Sequence, residues 1–281
     1  MKNDKYNKLE KLKEILIGMD RVVIAYSGGV DSTFLLKLAH DTLGNNVIAV
    51  TASSFTYPKQ ELVNAKKIAQ KIGVKHRIIK SDEINNKLFS KNTKNRCYYC
   101  KKELFINIKK IAIAYNMKYV LDGSNVDDLK DYRPGTKAIE ELGIKSPLKD
   151  VGLTKKEIRD LSHEINLETW DKPVLACLAS RLPYGTKITK KRLRQIELAE
   201  KFLSKLGFHQ IRVRHHDKIA RIEVIKEDFN KIIKQKEKIL NYFKKLGFTY
   251  VTMDIEGYRT GSLNEVLKHE KTPKRLQGRK N

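Results

Sequence analysis

Short apolar runs alternate along the first half of the chain with longer stretches whose apolar residues recur every three or four positions. Val22–Tyr26 reads as a buried strand, being a short unbroken apolar run. Val47–Thr51, Arg77–Ile79 and Tyr119–Asp122 read as three more. Leu9, Leu12, Ile15 and Leu16 lie at helical spacing, as do Phe34, Leu35, Leu38 and Ala39. Pro58–Ile72 forms a further helix stopped by Gly73, and Cys100–Asn116 carries Leu104, Ile108, Ile111 and Ala112 on one face. Strands alternating with helices predict an α/β fold, a parallel sheet flanked by helices on both faces.

The pattern then loosens. Residues 131–184 are denser in Pro and Gly, with one helix over Lys155–Ile165 announced by a Thr154/Glu157 capping box. This is the expected substrate-facing part of a first domain spanning 1–185. Beyond Gly185, Ile196, Ala199, Leu203 and Leu206 mark a helix, 211–213 and 219–224 two strands, Phe229–Leu246 a second helix and Thr249–Ile255 a third strand. That order predicts a small α+β domain over 186–262, serving substrate binding or oligomerisation. Residues 263–281 form a basic tail expected to be flexible. The matching Leu206-Gly207-Phe208 and Leu246-Gly247-Phe248 triplets hint at internal duplication.

With 281 residues, two domains with real cores are affordable in length. Lys+Arg exceeds Asp+Glu by 58 to 33, a net charge of +25 that invites a nucleic-acid partner. The lysines, however, are spread over nearly every helix rather than gathered in a stripe, and Lys, Asn and Ile are abundant together. A lysine-coated surface is therefore expected, and no nucleic acid. No apolar run approaches the roughly 18 residues needed to span a bilayer, and residues 1–20 alternate Lys with Leu unlike a secretory signal. A cytoplasmic protein without membrane contact is expected. Three cysteines, an odd count, argue against a disulfide framework and for a thiol or metal role.

Ser27-Gly28-Gly29-Val30-Asp31-Ser32 follows the first strand. Gly28 and Gly29 remove side chains where backbone must approach a ligand, and Ser27 and Ser32 add hydroxyls. The helix N-terminus that follows favours an anion. Asp31 would be misplaced for phosphate alone and implies a Mg²⁺ bridge. The Walker and dinucleotide fingerprints are absent. This loop resembles the pyrophosphate (PP) loop of the N-type ATP pyrophosphatases, which adenylate a substrate and release pyrophosphate. The resemblance implies ATP and Mg²⁺ as cofactors. Gly123-Ser124-Asn125-Val126-Asp127-Asp128, after the fourth strand, looks like the second acidic element near nucleotide and metal, with Gly123, Asp127 and Asp128 as contacts; an Asp-rich turn is the plainer reading.

Cys97-Tyr98-Tyr99-Cys100 is a C-x₂-C placed before a helix, and Cys177 is the third thiol. Three soft ligands are too few for a closed zinc site, yet suffice for an iron–sulfur cluster with one iron open. A redox pair, a zinc site completed by a histidine, and a lone Cys177 nucleophile remain alternatives. The wider pattern resembles the LarE family of ATP-dependent sulfur transferases of nickel-pincer cofactor synthesis, which serve lactate racemase. Arg96-Cys97-Tyr98-Tyr99-Cys100-Lys101, Asp131-Tyr132-Arg133-Pro134-Gly135, Ser146-Pro147-Leu148, Leu153-Thr154-Lys155, Trp170-Asp171-Lys172-Pro173, Ala176-Cys177-Leu178-Ala179-Ser180-Arg181 and Ile211-Arg212-Val213-Arg214 carry it, over nearly the whole chain to Ser262.

The resemblance implies a nucleotide substrate, pyridinium-3,5-biscarboxylic acid mononucleotide, whose adenylated carboxylates become thiocarboxylates. Matching positions make Ser180, Arg181, Glu200, Arg212 and Arg214 substrate contacts; Arg212 and Arg214, two apart on a strand, share a face and could grip one phosphate. In one branch of the family the cysteine matching Cys177 gives up its own sulfur. A second branch, which this chain resembles more, holds a [4Fe-4S] cluster on cysteines matching Cys97, Cys100 and Cys177. Sulfide or a cysteine desulfurase is then the expected sulfur donor, and a homo-oligomer is expected by analogy. A tRNA thiolation enzyme of the same superfamily is the rival reading.

Overall fold

The computed structural model describes residues 2–130, 134–173 and 176–269. The chain divides into two compact units. The first takes the residues up to Cys177 together with Lys187–Lys190, and the second takes Leu178–Thr186 and the residues from Lys191 onward. Residues 178–185, assigned by sequence to the first domain, group instead with the second.

The first unit runs α1 (Lys2–Met19), β1 (Val22–Ala25), α2 (Val30–Leu43), β2 (Val47–Ser53), α3 (Lys59–Ile72), β3 (Lys75–Lys80), α4 (Lys87–Ser90), α5 (Arg96–Ala114), β4 (Tyr119–Leu121), α6 (Gly135–Glu141), α7 (Pro147–Asp150) and α8 (Lys155–Glu164). Its four strands are parallel in the order β3-β2-β1-β4, with Val22 opposite both Val47 and Tyr119. The period-two alternation of a strand sends Val22, Ile24, Val47 and Ala49 to one face, among Leu12, Leu16, Phe34, Leu35 and Leu161. Val23, Ile48 and Val50 go to the other, among Phe105, Ile108 and Ala112. Helices cover both faces, which is why β1 shows no polar alternation. Because β1 lies between β2 and β4, the strand order reverses beside it, and such a switch point opens a crevice at the carboxyl ends of the strands.

Two boundaries differ from expectation. The helix expected from Cys100 begins at Arg96, so Cys97 lies inside α5 along with Cys100. Cys and Tyr are modest helix formers, and the apolar period that announces the helix starts only at Leu104. The Asp131–Arg133 part of the Asp131–Gly135 motif lies outside the described residues, as do residues 174, 175 and the tail from 270.

The second unit contains the turn Leu178–Arg181, α9 (Lys190–Lys205), β5 (Ile211–His216), β6 (Ile219–Val224), α10 (Phe229–Lys234), α11 (Lys236–Lys245), β7 (Tyr250–Met253) and α12 (Glu265–His269). α9 begins on Lys190, the last first-unit residue. β5 and β6 form an antiparallel hairpin, and α10 and α11 carry the chain over to β7, parallel to β6. The single helix expected over 229–246 is therefore two, parted at Gln235. Leu203, Phe208, Val213, Ile222, Val224, Phe243 and Phe248 make its core. The repeated Leu-Gly-Phe triplet is a shared helix stop. Gly207 and Gly247 have φ of +83° and +98°, and the N–H groups of Phe208 and Phe248 donate back to Leu203 and Phe243. α12 replaces the first residues of the expected flexible tail.

Candidate active site

Ser27–Gly29 bridges β1 and the N-terminus of α2. Gly28 sits at φ +69°, and a Cβ there would lie 2.9 Å from that of Ala65 on α3. The Ser27 and Ser32 hydroxyls hydrogen-bond each other at 3.0 Å, the Ser27 N–H donates to Ser32 Oγ and Ser32 Oγ donates to the Gly29 carbonyl. The loop is thus closed on itself, with the free amides of α2 at its mouth.

Asp31, in the first turn of α2, accepts from Asn125 Nδ2 at 3.3 Å and Lys155 Nζ at 2.5 Å. The turn after β4 approaches the loop closely: a Cβ at Gly123 would lie 3.0 Å from the Ser32 nitrogen. Within that turn Asp127 accepts the Lys155 backbone N–H at 2.8 Å and Asp128 accepts the Asn125 N–H at 3.1 Å. Asn125 is thus a residue of the turn that reaches Asp31, while Asp127 ties the turn to α8. Asn125 and Lys155 went unassigned in the sequence, since each gains its meaning from a contact with a distant residue; Lys155 at the first position after an N-cap was the available signal.

Cys97 and Cys100, at i and i+3, share a face of α5. Cys97 and Cys177 are exposed and Cys100 half-buried. Burial pushes the Cys100 thiol well up, and the charges of Cys177, Glu83, Cys97 and Glu103 add to it. Cys100 is therefore within electrostatic reach of both other cysteines. Three thiolates are the right kind of donor for iron–sulfur ligation, although among the described residues no three His, Cys, Asp or Glu side chains are gathered as a ready metal cage. A single carboxylate such as Asp31 suits Mg²⁺, which keeps waters and phosphates in its shell.

Loop and cysteine meet in one cavity of about 150 Å³ at the carboxyl ends of β1 and β2, whose lining includes Ser27, Thr51, Tyr57, Ser81, Glu83 and Cys100. Its buried carboxylate, Glu83, accepts from the hydroxyls of Ser54, Thr56 at 2.7 Å and Ser81 at 2.6 Å. Nothing in the sequence marked Glu83.

In the second unit, Arg181 makes a two-pronged contact with Glu200 at 2.9 and 3.0 Å and also donates to Ser180 Oγ. Glu200 accepts the Val213 N–H as well. Arg214 pairs in the same way with the fully buried Glu223 and donates to the Ser180 carbonyl and to Ser262 Oγ. Arg212 lies over the Tyr258 ring, 5.2 Å from its centre. Its pKa is lowered by burial first and by the neighbouring charges of Arg181 and Arg214. The structure thus brings all five expected contacts near one another, with Arg181 paired to Glu200 and Arg214 to Glu223.

A parallel sheet, a two-glycine loop at a helix N-terminus and an acidic turn against it define an ATP-using enzyme of the PP-loop class. Residues 21–125, β1 through the turn after β4, match the family model described as the argininosuccinate synthase N-terminal HUP domain. The chain is 37% identical over 89% of its length, and 91% of the relative's, to the pyridinium-3,5-bisthiocarboxylic acid mononucleotide synthase of Lactiplantibacillus plantarum. It is 43% identical over 93% of its length to an uncharacterized protein of Synechocystis, covering 98% of it. With an uncharacterized protein of Methanocaldococcus jannaschii it shares 36% over 91%, covering 96% of that chain. The chain belongs to the LarE family of ATP-dependent sulfurtransferases. No helix among the described residues is long and apolar enough to cross a membrane.

Proposed function

We propose that the protein adenylates the carboxylates of pyridinium-3,5-biscarboxylic acid mononucleotide and converts them to thiocarboxylates. In this reading Cys97, Cys100 and Cys177 together hold a [4Fe-4S] cluster, and Cys177 is a ligand rather than the sulfur source. The observation that carries the reading is the shared cavity, which sets Cys100 on the same space as the Ser27 end of the nucleotide loop.

A substrate carboxylate oxygen attacks the α-phosphorus of ATP, the bond to the bridging oxygen breaks, and pyrophosphate leaves with its electron pair. The amides at the start of α2 stabilise the departing charge, and Asp31 would hold the Mg²⁺ that shares it. Sulfide then adds to the acyl carbon of the adenylate, AMP leaves, and the product is a thiocarboxylate. A cluster on three thiolates supplies an iron site open to an exogenous sulfur ligand. Desolvation and the neighbouring carboxylates Glu83 and Glu103 raise the pKa of the Cys100 thiol, and a bound cation would favour its thiolate.

In the second unit Ser180, Arg181, Glu200, Arg212 and Arg214 are the proposed substrate contacts, with Arg212 and Arg214, two apart on β5, sharing a face toward one phosphate. Burial chiefly lowers the pKa of Arg212 and the charges of Arg181 and Arg214 add to it, so a bound anion would favour its charged form. Sulfide is the co-substrate, either free or released by a thiol reductant from the persulfide of a cysteine desulfurase, and a homo-oligomer is the proposed assembly.

Anaerobic purification with iron and sulfide analysis, followed by mass spectrometry of Cys177 after turnover, tests the sulfur route. About four irons per chain and an unchanged Cys177 mass are expected. A colourless protein whose Cys177 loses the mass of H₂S after turnover overturns the cluster and leaves Cys177 as the consumed donor.

A further inference from the structure

The Trp170–Pro173 run takes no part in the steps above, yet Lys172 reaches the nucleotide loop. Its ammonium donates to the Gly28 carbonyl at 2.9 Å and pairs with Glu61 of α3 at 2.6 Å, both side chains being about 15% exposed. One peptide earlier, the Tyr57 hydroxyl donates to the Ser27 carbonyl. Burial pushes the Tyr57 phenol up, so it remains a donor at any physiological pH.

No peptide bond described here is cis, and in a trans peptide the C=O and N–H point in opposite directions. Holding the carbonyls of Ser27 and Gly28 therefore turns the N–H groups of Gly28 and Gly29 to the other side of the loop. There the Gly29 N–H meets the Ser27 hydroxyl at a long 3.4 Å, a contact that a phosphate oxygen improves upon. Glu61 balances the ammonium charge, so Lys172 acts on the loop through its hydrogen bond. The segment that carries Lys172 is itself fixed from α8, where Arg159 donates to the carbonyls of Trp170 at 2.6 Å and Lys172 at 2.7 Å.

We infer that Lys172 is a positioning residue that fixes the two-glycine loop with its amides presented to the phosphates and couples nucleotide binding to the Trp170–Pro173 segment that carries it. The inference rests on the reading of the loop as an ATP site.

The test uses the full chain as wild type, K172M, K172R and Y57F. Binding of a non-hydrolysable ATP analogue with Mg²⁺ is measured by calorimetry, and amide hydrogen exchange between Thr169 and Lys172 is followed with and without the analogue. In the wild type the analogue slows that exchange. K172M weakens binding about tenfold and abolishes the slowing at saturating analogue, while the nucleotide-free protein melts close to the wild type. K172R recovers most of both effects, since a guanidinium can reach the same carbonyl and Glu61, and Y57F weakens binding in the same direction. Wild-type affinity in K172M overturns the positioning role, and preserved slowing in K172M overturns the coupling. If K172M does not fold, K172R and Y57F decide: wild-type affinity in Y57F together with a loss of about tenfold or more in K172R overturns the inference. A wild type that fails to bind the analogue removes the ATP reading itself and this inference with it.

Discussion

A side chain at position 28 meets two separate obstacles. The backbone at φ +69° disfavours any Cβ, and the Cβ itself would press on Ala65 at 2.9 Å. Gly28→Ala is expected to destabilise the loop by about 1–3 kcal/mol and to weaken ATP-analogue binding at least tenfold. Pairing it with Ala65→Gly relieves the contact but not the dihedral, so about half of the lost affinity should return by calorimetry; full recovery would show that the dihedral is harmless. At this scale the chain itself announces much of the site. The loop, the C-x₂-C and the arginines appear as residue types at fixed spacing. Tyr57, Glu83 and Asn125 do not, because each becomes functional only through a partner far along the chain: Ser27, Cys100 and Asp31.

The two helices that matter most to the site differ in how openly they begin. α8 starts with a complete capping box, in which the Thr154 hydroxyl accepts the Glu157 N–H and the Glu157 carboxylate accepts the Thr154 N–H. The cap sets the direction of the first turn, and with it the Lys155 contacts to Asp31 and Asp127. Thr154→Ala should cost about 1 kcal/mol in urea denaturation and raise the KM for ATP with a smaller change in kcat. A KM unchanged in a destabilised variant separates the cap from the site. α5 has no side-chain cap, and its first turn is made of Cys and Tyr. Sequence periodicity therefore sets its start a turn late, at Cys100, and leaves Cys97 outside a helix that in fact positions both cysteines. The strands were legible because both faces of the sheet are covered, so apolar runs and strands coincide; β3, on the edge with charged residues along it, was read too short for the opposite reason.

Over the whole molecule, three histidines share one electrostatic habit. His76 in the first unit and His215 and His216 in the second have pKa values lowered chiefly by burial. The unfolded chain takes up protons on them near the ordinary histidine value of about 6.5, where the folded chain still resists. Stability is therefore full above that pH and falls as the pH drops below it. Urea midpoints should be flat from about pH 8.5 to 7.5 and fall between about 6.5 and 5.5, with a shallower fall in His76→Gln. A midpoint that rises on acidification in this range contradicts the assignment. At this scale composition was the least informative guide: the +25 charge says little about the partner, whereas three cysteines and one loop narrowed the chemistry to a family.

The chain passes between its two units three times, at Cys177, at Thr186 and at Lys190. Ile188 is buried within the first unit, where its N–H donates to the Ser90 carbonyl at 2.9 Å. Ser180 and Arg181 belong to the second, where they meet Glu200 and Arg214. No single cut yields both units whole. A fragment ending at residue 185 lacks Ile188 and carries Arg181 away, leaving Glu200 facing a gap, and one beginning at residue 191 leaves Ile188 with the first unit but is still without Ser180 and Arg181. Joining two separately made halves end to end therefore does not rebuild these units, because each is completed by a segment lying on the far side of part of the other.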